Sequence, residues 1–233
     1  MRIFRLISLI LIAVLALLLC SCNMSVNKSI YVRDGETLHS GPKTVNGSII
    51  IGSDCRIRGG CHTVNGKIEV GNNCEVRALK TVNRGINVGN DTVVDGNIGT
   101  VNGSVKCGSN VEVDGDISTV NGSVTCSTGV TVDGDISNVN GDISLINTFV
   151  KEDIKTHTGD ITLKDKSTVE GDIIIKRSHS ISRRFRSLDI RVSDGSTIKG
   201  DIIVKDHDLD VTVYLSGGGK VEGRVRDAEI ISE

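Results

Sequence analysis

The segment Thr100-Val101-Asn102-Gly103-Ser104-Val105-Lys106-Cys107 returns 19 residues later as Thr119-Val120-Asn121-Gly122-Ser123-Val124-Thr125-Cys126. Val111-Glu112-Val113-Asp114-Gly115-Asp116-Ile117 returns in the same phase as Val130-Thr131-Val132-Asp133-Gly134-Asp135-Ile136. Working outward, the Thr-Val-Asn-Gly tetrad also begins at Thr44 and Thr63, with near copies at Thr81 and Asn138, so the successive steps are 19, 18, 19, 19 and 19 residues. A period of this size marks a solenoid, in which no repeat buries its own apolar face and stacking does so.

Aligned on the tetrad, the repeats form columns. One step in stand Val45, Val64, Val82, Val101, Val120 and Val139. Five and seven steps in, the columns begin with Ile49 and Ile51, and the second of them includes Cys107 and Cys126. Eleven steps in, Cys55, Cys74, Thr92, Val111, Val130 and Phe149 align. The thirteenth and seventeenth steps begin with Ile57 and Cys61. Apolar pairs two residues apart have the strand period, and Gly or polar residues fill the gaps. Three short strands and three corners per repeat predict an all-β, single-stranded parallel β-helix of about 19 residues per turn, with the six columns as its core. Looser copies at Ser167, Ser196 and Lys220 extend it to nine or ten turns. A right-handed coil is expected over a left-handed one. Asp116, beside the core position Ile117, reads as solvated surface.

The composition agrees. Five aromatics in 233 residues leave an aliphatic core and exclude a nucleic-acid stacking platform. A formal charge of −2 implies no polyanion partner for the chain as a whole.

The N-terminus carries a different signal. Arg2 and Arg5 precede an apolar run, Leu6 to Leu19, broken only by Ser8 and too short for a comfortable membrane span. Leu19-Cys20-Ser21-Cys22 follows. This resembles a bacterial lipoprotein signal, with Leu19 three before and small Ser21 one before an acylated Cys22; Cys20 fits that pattern poorly. The resemblance implies a signal peptide over 1–21, lipidation (palmitate) at Cys22, and a membrane-anchored exported protein. Asn23 favours the outer membrane. Residues 22–40 are then expected as tether and N-terminal cap, and 41–233 as the β-helix with an insertion at 176–187. The Val-Asp-Gly-Asp-Ile type corners at Val94, Val113 and Val132, together with the aliphatic stacks, resemble bactofilins and related polymer-forming or adhesin-like β-helices. That resemblance implies a scaffolding or adhesion role, and it covers about residues 40–230.

Several groups qualify as candidate sites. The insertion holds Lys176, Arg177, Arg183, Arg184 and Arg186 with no acid, a pattern suited to acidic lipid or polysaccharide. Asp95, Asp114, Asp116, Asp133 and Asp135 form an acidic stripe, expected to be solvated, with Ca²⁺ or Mg²⁺ bridging as the weaker reading. The Asn46, Asn65, Asn83, Asn102, Asn121 and Asn140 column is expected at corners, where Asn-Gly tolerates positive φ and stacked amides form ladders. Cys55, Cys61, Cys74, Cys107 and Cys126 fall in inward columns and read as buried free thiols. The five histidines do not converge in register, and no catalytic triad or phosphate loop is evident. The expectation is therefore a non-enzymatic envelope protein with no cofactor and no nucleic-acid partner. A carbohydrate- or lipid-binding module is the alternative, and a polysaccharide-active enzyme is further off. The ends of a β-helix expose strand edges. The charges from Lys220 to Glu229 read as a cap, so a monomer or weak end-to-end association is expected, with polymerisation as the family's alternative.

Overall fold

The computed structural model describes residues 24–177 and 187–232. These form a β-solenoid of about ten coils, without helices. Each coil contributes one short strand to each of three parallel sheets, so every third strand is a neighbour; two sheets have 11 strands and the third has 10. The first sheet begins Met24–Ser25, Lys43–Thr44, Cys61–His62; the second Ile30–Val32, Ile49–Ile51, Ile68–Val70; the third Thr37–Leu38, Arg56–Ile57, Glu75–Val76. The register is one repeat throughout: Ile98 pairs with Ile117 and Ile117 with Ile136. Stacked this way, the aliphatic columns make one continuous core between the sheets, with Ile49, Ile68, Ile98, Ile117 and Ile136 fully buried. All these contacts lie within residues 24–232, which carry their own core.

Several details differ from the sequence expectation. The first coil begins at Met24, where a tether was expected, and its strands pair in register with the second coil. Its tetrad position reads Ser25-Val26-Asn27-Lys28, a copy degenerate at Thr and Gly.

Second, the buried tetrad residue is the Thr and not the Val. Thr44, Thr63, Thr81, Thr100 and Thr119 are buried, whereas Val45, Val64, Val101, Val120 and Val139 are half-buried and only Val82 is buried. A buried hydroxyl needs a partner, and each threonine donates to a carbonyl of the preceding coil: Thr63 to Gly47 O at 2.7 Å, Thr81 to Gly66 O at 2.8 Å, Thr119 to Gly103 O at 2.9 Å. Asn138 breaks the series. Its Nδ2 donates to Gly141 O at 2.5 Å within its own coil, and its Oδ1 is buried without a hydrogen-bond partner. Replacing Asn138 with Thr would restore the column and remove the orphan acceptor. We expect Asn138→Thr to raise stability by about 1 kcal/mol, read as a shift in the denaturant midpoint; a loss of stability would refute this account of the column.

Third, the eleventh-step column passes through Thr148, which is buried, while Phe149 turns outward and is half-buried. The repeat is one residue short there, so the strand pairs Phe149 with outward Thr131.

Fourth, the positive-φ column is not the tetrad asparagine. It runs through Asp54 (59°), Asn73 (54°), Asp91 (54°) and Asn110 (56°), at the corner between the second and third sheets. The insertion also closes one residue early, because Ser187 opens a six-residue strand, Ser187–Val192. At the C-terminal end, Lys220, Glu222, Arg224, Arg226, Asp227 and Glu229 are exposed around the rim. Ile230, however, pairs with core residue Val213 and remains 50% exposed, so the charges ring the core end without covering it.

Candidate functional site

Corner side chains carry most of the polar chemistry, and much of it is spent on the neighbouring coil. The tetrad asparagines form an amide ladder. Asn46 Nδ2 donates to Asn27 Oδ1 (2.6 Å), Asn65 to Asn46 (2.6 Å), Asn83 to Asn65 (2.6 Å), Asn102 to Asn83 (3.0 Å), Asn121 to Asn102 (2.8 Å) and Asn140 to Asn121 (2.9 Å). Thr158 Oγ1 continues it onto Asn140 Oδ1 at 3.1 Å. The ladder was legible in the sequence. Its exposed edge leaves few amide groups free for a ligand.

The acidic stripe separates into two columns of different character. Asp95, Asp114 and Asp133 are exposed; Asp95 pairs with Arg77 at 3.2 Å and Asp133 with Lys151 at 3.4 Å. Asp116 and Asp135 are not merely solvated. Asn97 Oδ1 accepts the Asp116 backbone N–H (3.1 Å), Asp116 Oδ1 that of Asp135 (3.0 Å), and Asp135 Oδ1 that of Asp153 (3.0 Å). Asp153, Asp172 and Asp201 continue the series to the Arg224 N–H. That N–H, with the Arg224 and Arg226 guanidiniums, holds the Asp201 carboxyl below its usual range. Two further corners repeat the device with Ser, Asn and Asp, as where Ser104 Oγ accepts from Ser123 and Asn72 Oδ1 from Asn90. Sequence reasoning missed these ladders, although the recurring small acceptors one repeat apart were their signal. Among the described residues no three His, Cys, Asp or Glu side chains form a metal-binding group.

All five described cysteines are buried free thiols. Cys107 and Cys126 are register partners, while Cys55 and Cys74 donate to the carbonyls of Arg33 (3.0 Å) and Gly52 (3.1 Å). Burial pushes the Cys61 thiol up to about 12 and also raises that of Cys74. Cys126 is raised by its hydrogen bond with Cys107 and by burial. Thiolates are thereby disfavoured at Cys61, Cys74 and Cys126, and all five buried thiols serve as packing groups. His62, outward in the first sheet between Lys43 and Lys80, is driven down to about 4 by burial and by those two cations, and is neutral at pH 7.

Cys22 lies outside the described residues, as do Arg183, Arg184 and Arg186. Lys176 is half-buried and Arg177 exposed, just past the strand Ile173–Ile175. That strand stands eight steps from Met24–Ser25 in the first sheet, or about 38 Å at the usual strand spacing. Lys176 and Arg177 therefore sit far from the N-terminal coil along the solenoid. Near the C-terminal end, Asp206, Asp210, Leu209 and Asp227 border an open hollow of about 420 Å³. In comparisons with protein-family models, curated proteins and solved structures, nothing matches this chain.

Proposed function

We propose that the protein is a non-enzymatic, lipid-anchored β-helix of the cell envelope, most simply at the outer membrane, with a structural, scaffolding or adhesion role. The observation that carries this reading is the fate of the polar columns. Their hydroxyls, amides and many of their carboxylates bond a neighbouring coil, which makes a stiff rod with little converging chemistry. The N-terminal sequence supports the anchor through Leu19, Ser21 and Cys22. Several acyl chains on one cysteine hold stably, since each buried CH₂ adds about 0.8 kcal/mol. With the anchor at Cys22, the first coil lies at the membrane, and Lys176 and Arg177 lie about 38 Å along the rod, at that strand spacing. An upright rod thus offers Lys176 and Arg177 to an acidic lipid or polysaccharide surface other than the one that holds it.

The anchor is tested by Cys22→Ala. We expect that variant to incorporate no palmitate and to leave the membrane fraction entirely. Continued labelling, or loss of labelling in Cys20→Ala instead, would overturn the assignment.

A further inference from the structure

The corner joining the third sheet to the first carries three outward columns. Their alignment is fixed by the structure. Lys43 pairs with His62, His62 with Lys80, Lys80 with Gly99 and Gly99 with Ser118. The middle column is tied by the Asn97, Asp116 and Asp135 acceptors, and the outer one by the Arg77–Asp95 and Lys151–Asp133 pairs. Along this one stripe the charge reverses. The first three levels hold Lys43, Arg58, Arg77 and Lys80 and no carboxylate. The next three hold Asp95, Asp114, Asp116, Asp133 and Asp135 and no cation. Lys43, Arg58, Lys80, Asp114 and Asp116 have no ion-pair partner among the described residues.

We propose that two copies of this chain associate side by side and antiparallel through this stripe. A surface positive at one end and negative at the other is complementary to itself under a two-fold axis, which satisfies both halves at once. With the axis between the third and fourth levels, Lys80 of one copy faces the acidic level of Asp95 on the other. Arg58 faces Asp114 and Asp116, the unpaired carboxylates, and Lys43 faces Asp133 and Asp135, which Lys151 and Lys155 of the following level already pair within their own copy. An anionic polymer laid along the stripe matches it less well, because after about 14 Å at the strand spacing it meets the carboxylates. The six levels span about 29 Å by roughly 13 Å, near 400 Å² per copy, against about 800 Å² in an ordinary stable interface. The pairing is therefore weak and salt-sensitive, and tethering to a surface would favour it through effective concentration.

Sedimentation equilibrium of residues 23–233, which need no lipid anchor, tests the pairing independently of the functional reading. We expect a dimer at low salt that weakens at least tenfold at about 0.5 M salt, where the screening length falls to a few Å. Arg58→Glu/Lys80→Glu cancels the charge of the basic half, with Lys43 and Arg77 remaining, and leaves the stripe net acidic; Asp114→Lys/Asp133→Lys, with Asp95, Asp116 and Asp135 remaining, leaves it net basic. Each variant alone is expected to be monomeric at low salt, and an equimolar mixture to form a heterodimer. Lys43→Glu/Lys80→Glu replaces the first variant should circular dichroism show it misfolded. A wild-type chain that stays monomeric at millimolar concentration in low salt would overturn the proposal. So would undiminished self-association of either variant, which would point to end-to-end contacts. Retention of the wild type on a polyanion matrix, lost in the acidic variant with no heterodimer on mixing, would assign the cations to an acidic polymer instead.

Discussion

Ile117→Asp is expected to abolish the cooperative unfolding transition of the native solenoid or to lower its stability by several kcal/mol. Ile117 is fully buried, and its strand partners on both sides, Ile98 and Ile136, are fully buried too. A carboxylate there has no cation or N–H left to receive it, because the backbone groups around it already serve the ladder. It must be protonated or pull the coil open. A break in the sixth of about ten coils also separates the stack into two shorter arrays, since each coil gains its stability from its neighbours. The neighbouring Asp116→Ala is the informative control. Read from sequence as surface, it would be nearly neutral. Its Oδ1 accepts the Asp135 N–H, so we expect a cost of about 1–2 kcal/mol for the N–H it strands. Urea titration followed by far-ultraviolet circular dichroism separates the two, and equal losses would refute the inward assignment of Ile117.

Gly66→Val should be almost as damaging, for a reason of backbone rather than core. A Cβ at Gly66 would stand 1.8 Å from the Gly47 carbonyl oxygen, which is itself held by the Thr63 hydroxyl. Neither coil can yield without breaking that bond, so the stack must part locally. We expect a loss of several kcal/mol, at the upper end of single substitutions. Gly35→Ala isolates the other role of glycine. Gly35 has φ +74° and nothing within 4 Å of the added Cβ, so only the left-handed backbone is strained, by about 1 kcal/mol. Thermal melts of both variants test the contrast; a Gly66→Val protein as stable as Gly35→Ala would mean that the coils are not in close contact at this corner.

The period, the three strands per coil, the coil number and most of the core were legible in the sequence. Columns such as Ile98, Ile117 and Ile136 repeat in phase, and burial follows phase in a parallel stack. Parity at the corners was not legible. The chain turns between Thr44 and Ile49, so counting inward positions by two cannot be carried across, and the tetrad Val was chosen over a Thr whose hydroxyl is satisfied only by the coil before it. Phe149 was misplaced because its repeat lost one residue at a corner. The first coil was overlooked because Ser25 and Lys28 replace Thr and Gly. At the candidate sites, the acidic stripe was visible, but its division was not. Asp114 and Asp116 differ by two positions on one edge, and only the structure sets a backbone N–H against one of them. The reversal of charge along that corner needed the columns to be aligned in space before Lys43 and Asp133 belonged to one surface.

Most corner ladders also share a direction, the buried series at Cys55, Cys74, Thr148 and Ser167 being the one that runs the other way. At Ser48, Ser53, Asn90, Asp116, Asp135 and Asp201 the arrangement is the same: the later coil's backbone N–H donates to the earlier coil's side chain. The buried threonines reach back the same way, to carbonyls of the preceding coil. A finished coil therefore presents a ready row of acceptors to residues that follow it in the chain. Synthesis delivers those residues in the same order. Each turn is a template for the next, and the solenoid can close like a zipper from its N-terminal end, without waiting for distant parts of the chain to find one another.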